Sequence, residues 1–155
     1  LNSALPDIDI GSCSSFVVGK ADAIVTGTQE FILSLGTTTN AARWYAPSVT
    51  TVGFNWGYGG TWNIHQETQD TNPHLFTTIA GATQGDWQPF LDGTSKDNQT
   101  RVIRDSGGTY GIGGYGSVTS YPLDGKVAEV VVYSSDQSAK RDALGKNIMD
   151  YYGLS

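Results

Sequence analysis

The residues best suited to chemistry lie in the segment "VGFNWGYGGTWNIHQ": Asn55, Asn63, His65 and, in the glycine-rich stretch between them, Tyr58. An amide carries donors and an acceptor, and a neutral imidazole carries one of each. A tyrosine adds an apolar ring with a polar tip. Together they could hydrogen-bond hydroxyl groups while offering a flat apolar face, which is what sugar recognition needs. A hairpin folded over "GYGGT" would pair Trp56 with Trp62, Asn55 with Asn63, Phe54 with Ile64 and Gly53 with His65. Val52, Phe54, Trp56, Trp62 and Ile64 then fall on one side, and Asn55, Asn63 and His65 on the other. The plainer reading is also open. A cross-strand tryptophan pair contributes roughly 0.2–1 kcal/mol relative to alanine whether or not a ligand is present, and amphipathic strands show Asn and His to water. "NAARWYAP" adds Arg43, Trp44 and Tyr45. Trp44 and Tyr45 must take opposite faces, so Trp44, like Trp87 in "DWQPFLDG", is a candidate ligand aromatic.

Other chemistry finds no pattern. His65 and His74 are nine residues apart on different strand-like runs, with no HxH, HExxH or Cys/His spacing for zinc. No GxSxG element is present, and the glycines of "YGIGGYG" and "GYGGT" precede no helix that could hold phosphate. Asp7 and Asp9 alternate in "PDIDIG" without a further acid close by. No metal ligand set or cofactor is expected. Calcium stays open at loop carboxylates such as Asp86, Asp92 or Asp124, although no EF-hand-like loop occurs. The single cysteine, Cys13, reads as a small half-buried thiol rather than a nucleophile.

The elements that must position these residues are short strands. "SSFVVG", "EFILSLG", "AARWYA", "TTVGFNW", "WNIHQE", "HLFTTIAG", "DWQPFLDG", "NQTRVIRD", "YGIGGYG" and "GKVAEVVVY" each read as one. Asp92-Gly93 and Asp124-Gly125 sit where tight turns need positive φ. Many short strands at close spacing predict an all-β, two-sheet antiparallel sandwich or jelly roll. The end differs: in "DQSAKRDALGKNIMDYYGL", Ala143, Leu144, Ile148, Met149 and Tyr152 share a helical stripe. Ser134 or Ser135 is the expected N-cap, Asp136 suits the first turn, and Gly153 the C-terminus. In "GKVAEVVVYSS", Val127, Glu129, Val131 and Tyr133 share one face of a run apolar enough for a central strand covered on both sides. Glu129 is then either a catalytic carboxylate or a buried acid satisfied by hydrogen bonds.

With 155 residues, the chain is long enough for one domain, taken as 1–155. Charged residues make up 15% and the net charge is −6, which argues against nucleic acid or an anionic membrane as partner. No apolar run is long enough to span a bilayer. The low charge and abundant Gly, Ser and Thr point to an extracellular, cell-surface or virion-surface protein. The chain opens without Met at "LNSALPDIDIG" and is expected to belong to a longer polypeptide.

The order "SSFVVGKADA", "EFILSLG", "HLFTTIAG", "PFLDGT", "IGGYG" and "LDGKVAEVVVYSSDQSAKRDALGKNIMDYYGL" resembles the laminin-G-like, concanavalin A-like jelly-roll domains of bacterial and phage proteins. The resemblance implies two stacked antiparallel sheets in a non-catalytic carbohydrate-binding or adhesion module. Its alternative is a structural or protein-interaction domain of a virion or large surface assembly. Glycan-cleaving members carry an E-x-D-x-x-E cluster, and none of Glu30, Glu67 and Glu129 sits in that pattern. A glycosidase needs two flanking carboxyls, so no enzyme is expected and Glu129 is expected to be scaffold. The expected carbohydrate-binding residues are Asn55, Tyr58, Asn63, His65, Trp44 and Trp87. The partner is a glycan or a protein of the assembly.

Overall fold

The computed structural model describes residues 13–23, 30–37, 40–46, 51–58, 61–68, 70–80, 87–96, 111–114 and 122–154. In chain order these form β1 (Ser14–Ala21), β2 (Glu30–Thr37), β3 (Asn40–Ala46), β4 (Thr51–Tyr58) and β5 (Thr61–Thr68). There follow β6 (His74–Ala80), β7 (Trp87–Leu91), β8 (Thr94–Ser95), β9 (Gly111–Ile112), β10 (Gly125–Tyr133) and helix α1 (Arg141–Tyr152). One antiparallel sheet runs β10-β1-β6-β7-β8 and the other β5-β4-β3-β2-β9. The expected strand "NQTRVIRD" lies outside the described residues, and "YGIGGYG" contributes Gly111–Ile112.

Period-two alternation sorts the first sheet into two buried faces. Phe16, Val18, Leu75, Ile79 and Phe90 form a cluster on one face, packed against Val131 and Tyr133 of the sheet and Leu144, Ile148, Met149, Tyr152 and Leu154 at the C-terminus. Ser15, Val17, Phe76, Thr78 and Leu91 alternate onto the other face and are buried as well. The two sheets meet where Ile32 of β2 abuts Gly19 of β1, beside a bulge at Ala128 of β10. The first sheet is thus sandwiched between α1 and the second sheet. Burial on both sides fits the apolar residues at successive positions of β1 (Phe16, Val17, Val18) and β6 (Leu75, Phe76). Cys13 is fully buried rather than half-buried.

β10 differs from its expected central place: its described neighbour is β1 on one side, and it stands at the end of the strand order. Glu129 is accordingly half-buried rather than buried. Among the described residues its partner is the Tyr152 hydroxyl of α1. Burial pushes that phenol's pKa up, and the adjoining, hydrogen-bonded Glu129 carboxylate pushes it further. Glu129 therefore ties the last strand to the last helix.

The two Asp-Gly pairs work differently. Asp92 (φ 48°) and Gly93 (φ 75°) are left-handed and close the β7–β8 hairpin, with Leu91 opposite Thr94. This is the two-residue turn that matches strand twist. Gly125 instead opens β10 opposite Ala21. A Cβ there would lie 2.1 Å from the Lys20 carbonyl oxygen, so close backbone approach, not positive φ, demands glycine.

The helix begins later than Ser134 or Ser135 would start it. The buried Ser14 hydroxyl donates to the Ser135 carbonyl (3.1 Å) and accepts the Gln137 N–H (3.0 Å), so the chain leaving β10 is first fastened to β1. Asp136 then accepts the Ser138 N–H at 2.8 Å, and a 3-10 turn over Ser138–Lys140 leads into α1. At the other end Gly153 is left-handed, and the Leu154 N–H returns to the Met149 carbonyl at 2.9 Å. Ala143 is exposed, whereas the rest of the stripe faces the sheet. Gly145, mid-helix and buried, costs about 1 kcal/mol relative to alanine. A Cβ there would meet only Leu75 Cδ2, at an ordinary 3.7 Å.

Candidate functional site

The second sheet carries five of the six expected ligand residues, and its register decides which share a face. β4 and β5 pair Tyr58 with Thr61, Gly57 with Trp62, Trp56 with Asn63, Asn55 with Ile64, Phe54 with His65 and Gly53 with Gln66. Only Gly59 and Gly60 separate the strands, in place of the five-residue "GYGGT" connection. The expected pairing of Trp56 with Trp62 and of Asn55 with Asn63 is therefore off by one residue. In a sheet of period two, such a slip moves a whole strand's side chains to the opposite face.

The consequence is a regrouping. β3 continues the rows, with Arg43 opposite Asn55, Trp44 opposite Phe54, Tyr45 opposite Gly53, Ala41 opposite Gly57 and Asn40 opposite Tyr58. One register set holds Trp44, Phe54, Trp56, Tyr58, Asn63 and His65 together with Val52. The other holds Arg43, Tyr45, Asn55, Trp62, Ile64 and Gln66, with Gly53 and Gly57 flanking Asn55 along β4. Asn55 is thus separated from Asn63 and His65, and Trp44 joins Tyr58. Trp87 belongs to the first sheet, opposite Ala80 at the start of β7.

A polar cluster that the sequence reading passed over lies in the first sheet. His74, the first residue of β6, has Nδ1 at 2.6 Å from Asp92 Oδ2 and Nε2 at 2.9 Å from Asp70 Oδ1. Asp92 also accepts the Leu75 N–H at 2.8 Å, and Asp70 accepts the Asn72 N–H at 2.8 Å and its side-chain amide at 2.9 Å. The Asp92 hydrogen bond, opposed by burial and reinforced by Asp70, raises the His74 pKa to about 9. Burial works against ionisation of Asp70, but its hydrogen bonds to His74 and Asn72 outweigh this and leave its pKa lowered. The ring is therefore a doubly paired imidazolium at neutral pH. It joins the segment entering β6 to the β7–β8 turn. The signal was present as the alternation Asp70-x-Asn72-x-His74, but its third member lies 18 residues on. Both imidazole nitrogens are engaged, so His74 offers no lone pair for a metal or a general base.

Among the described residues no group of three or more His, Cys, Asp and Glu is placed to hold a metal ion. Of the loop carboxylates open to calcium, Asp92 is committed to His74 and Leu75, and Asp86 lies outside the described residues. No described helix is long and apolar enough to cross a membrane.

Two stacked antiparallel sheets with one docked C-terminal helix make this a β-sandwich of jelly-roll type. The solved structures that it resembles are of the same class. The CBM40 domain of Ruminococcus gnavus IT-sialidase bound to α2,3 sialyllactose matches with a TM-score of 0.64 and 16% identity, over 88% of this chain and 82% of that one. The Caenorhabditis elegans galectin LEC-6 matches at 0.56 and 12% identity, over 86% and 89%. The binding domain of botulinum neurotoxin DC, in complex with rat synaptotagmin II, matches at 0.59 and 9% identity, over 90% and 37%. No protein-family model matches the sequence, and no curated protein matches it.

Proposed function

We propose that this chain is a non-catalytic carbohydrate-binding module of laminin-G-like type that works outside the cell. The observation that carries the reading is one of extent. Nearly the whole chain superposes on nearly the whole of a domain solved with a sialylated sugar, and that extent supports a binding module.

The register supports a ligand face built around Asn55. Its set brings an arginine, two amides, a tyrosine and a tryptophan to adjacent positions of three strands. Gly53 and Gly57 flank Asn55 along β4 in the same set. Amides and aromatics suit sugar hydroxyls and ring faces, and a guanidinium suits a carboxylate-bearing sugar. The set with Val52, Phe54 and Trp56 is the more apolar and by amphipathicity packs toward the other sheet. Trp44, Tyr58, Asn63 and His65 belong to that set and act on stability more than on ligand in this reading. Trp87 is remote from both.

The test is a glycan array that includes α2,3- and α2,6-linked sialyllactose, run in calcium and in chelator. Binding that falls at least ten-fold in Asn55→Ala and Arg43→Ala, but not in Trp87→Ala, supports the assignment. Loss in His65→Ala and Asn63→Ala, with Asn55→Ala unaffected, moves the site to the other face. A blank in both buffers sinks the glycan reading and leaves a protein partner of a larger assembly, the mode of the toxin domain seen with synaptotagmin.

A further inference from the structure

The docking of α1 rests on few fully buried contacts. Of its twelve residues only Gly145 is buried, and Leu144, Ile148, Met149 and Tyr152 stay half-exposed against the first sheet. Polar ties therefore matter at its two ends. Tyr152 is tied to Glu129 at the C-terminal end. At the N-terminal end the tie is Arg141, whose Nη1 donates to the Gly93 carbonyl at 3.1 Å while its guanidinium lies 3.9 Å from the centre of the Phe90 ring. Its other partner, Asp142, is 85% exposed on the helix itself and fastens it to nothing in the sheet.

Gly93 and Phe90 both belong to the β7–β8 hairpin, and its turn is held from the opposite side. Asp92 is left-handed, a conformation that a residue with a Cβ keeps only where its surroundings enforce it. The Asp92 carboxylate supplies that hold. Oδ1 accepts the Leu75 N–H at 2.8 Å and Oδ2 meets His74 Nδ1 at 2.6 Å, while the Asp92 N–H donates to the Leu75 carbonyl at 3.0 Å. We propose that His74, Asp92 and Arg141 form a single latch, in which the His74 ring fixes the turn and the turn seats the leading end of α1. Gly93 directly follows Asp92, so any shift of the Asp92 backbone moves the carbonyl that Arg141 grips. Among the described residues the charged groups facing His74 are Asp70 from the segment before β6 and Asp92 from the turn, with Arg141 of α1 beyond the turn. A coupling of this kind is reciprocal: what His74 does for the seat of Arg141, Arg141 does for the proton on His74.

NMR of the whole chain near pH 6 reads the latch from both ends. The Arg141 side-chain protons lie over an aromatic face, so the ring displaces their resonances upfield and reports the seat directly. His74→Gln and Asp92→Asn should each return those resonances toward free-arginine positions. Both should also speed exchange of the Gly145 amide, which bonds the Arg141 carbonyl in the helix, by roughly three-fold or more, with the Tyr152 amide unchanged. Asp70→Asn removes the His74 partner that lies outside the turn and should leave Arg141 in place. In the reverse direction, Arg141→Gln should lower the pH at which His74 titrates by about half a unit. Loss of a cation alone would raise it, so the direction separates the latch from simple electrostatics. Arg141→Lys, which keeps the charge and loses the stacked fork, gives the same reading should Arg141→Gln fail to fold. A His74 midpoint that stays or rises, Arg141 resonances that hold in His74→Gln, or an equal loss in Asp70→Asn would overturn the proposal.

Discussion

Removing the His74 charge should make the stability of this domain lose a pH dependence that the wild type displays. The imidazole sits between two carboxylates, and its pKa rises from 6.5 to about 9 on folding. A raised folded pKa means that the native state holds the proton more tightly than the unfolded chain does. The stabilisation is therefore complete below about pH 6.5 and is lost progressively as the pH climbs toward 9. Taken at face value the shift corresponds to about 3 kcal/mol. The ring itself is 20% exposed, but Asp70 and Asp92 reach water, and screening reduces the figure to about 1–2 kcal/mol. In urea denaturation, His74→Gln should be less stable than wild type by that amount near pH 6, with the gap closing by about pH 9.5. Following the imidazole nitrogens by NMR locates the titration directly. A ring that titrates near its unperturbed value, or wild-type and variant stabilities that run parallel across the window, would refute the reasoning.

Three further outcomes follow from packing. Gly125→Ala forces a Cβ into the Lys20 carbonyl and should destabilise by more than about 2 kcal/mol, read from the denaturant midpoint, or prevent folding. Phe16→Ala removes a fully buried ring, edge-on to Tyr133 at a 6.2 Å centroid distance, and should cost about 3–5 kcal/mol by the same measurement. Asp136→Ala deletes the acceptor of the Ser138 N–H and should cost about 0.5–2 kcal/mol, with faster hydrogen exchange at Ser138 as its local signature.

What the sequence revealed was what depends on neighbours in the chain. Alternation located the longer strands of both sheets though not β8, the Asp92-Gly93 pair marked a left-handed turn, and Gly153 with Leu154 marked a helix end because those signals are local. The β4–β5 register was misjudged because "GYGGT" accommodates connections of several lengths, and one residue of difference regroups Asn55 against Asn63 and His65. Glu129 pairs with Tyr152, and Ser14 with Ser135 and Gln137, across separations that no local pattern encodes. Gly125 resembled a turn glycine because its actual constraint, the carbonyl of Lys20, comes from a strand more than a hundred residues earlier. For the candidate site, residue types were legible while their common face was not, since face depends on register.

The position of β1 also constrains how this chain is made. Its partners are β6 on one side and β10 on the other, with Ser14 opposite both Ile79 and Tyr133. On the ribosome β1 emerges early and must wait for both. The β2–β5 meander pairs neighbouring segments only and can close as it appears. The first sheet, by contrast, stays open at β1 until Tyr133 has left the exit tunnel, and α1 cannot cover it sooner. A strand buried along nearly its whole length in the fold is thus the one left longest without both of its pairing partners during synthesis, the interval in which unpaired strands associate with the wrong chain.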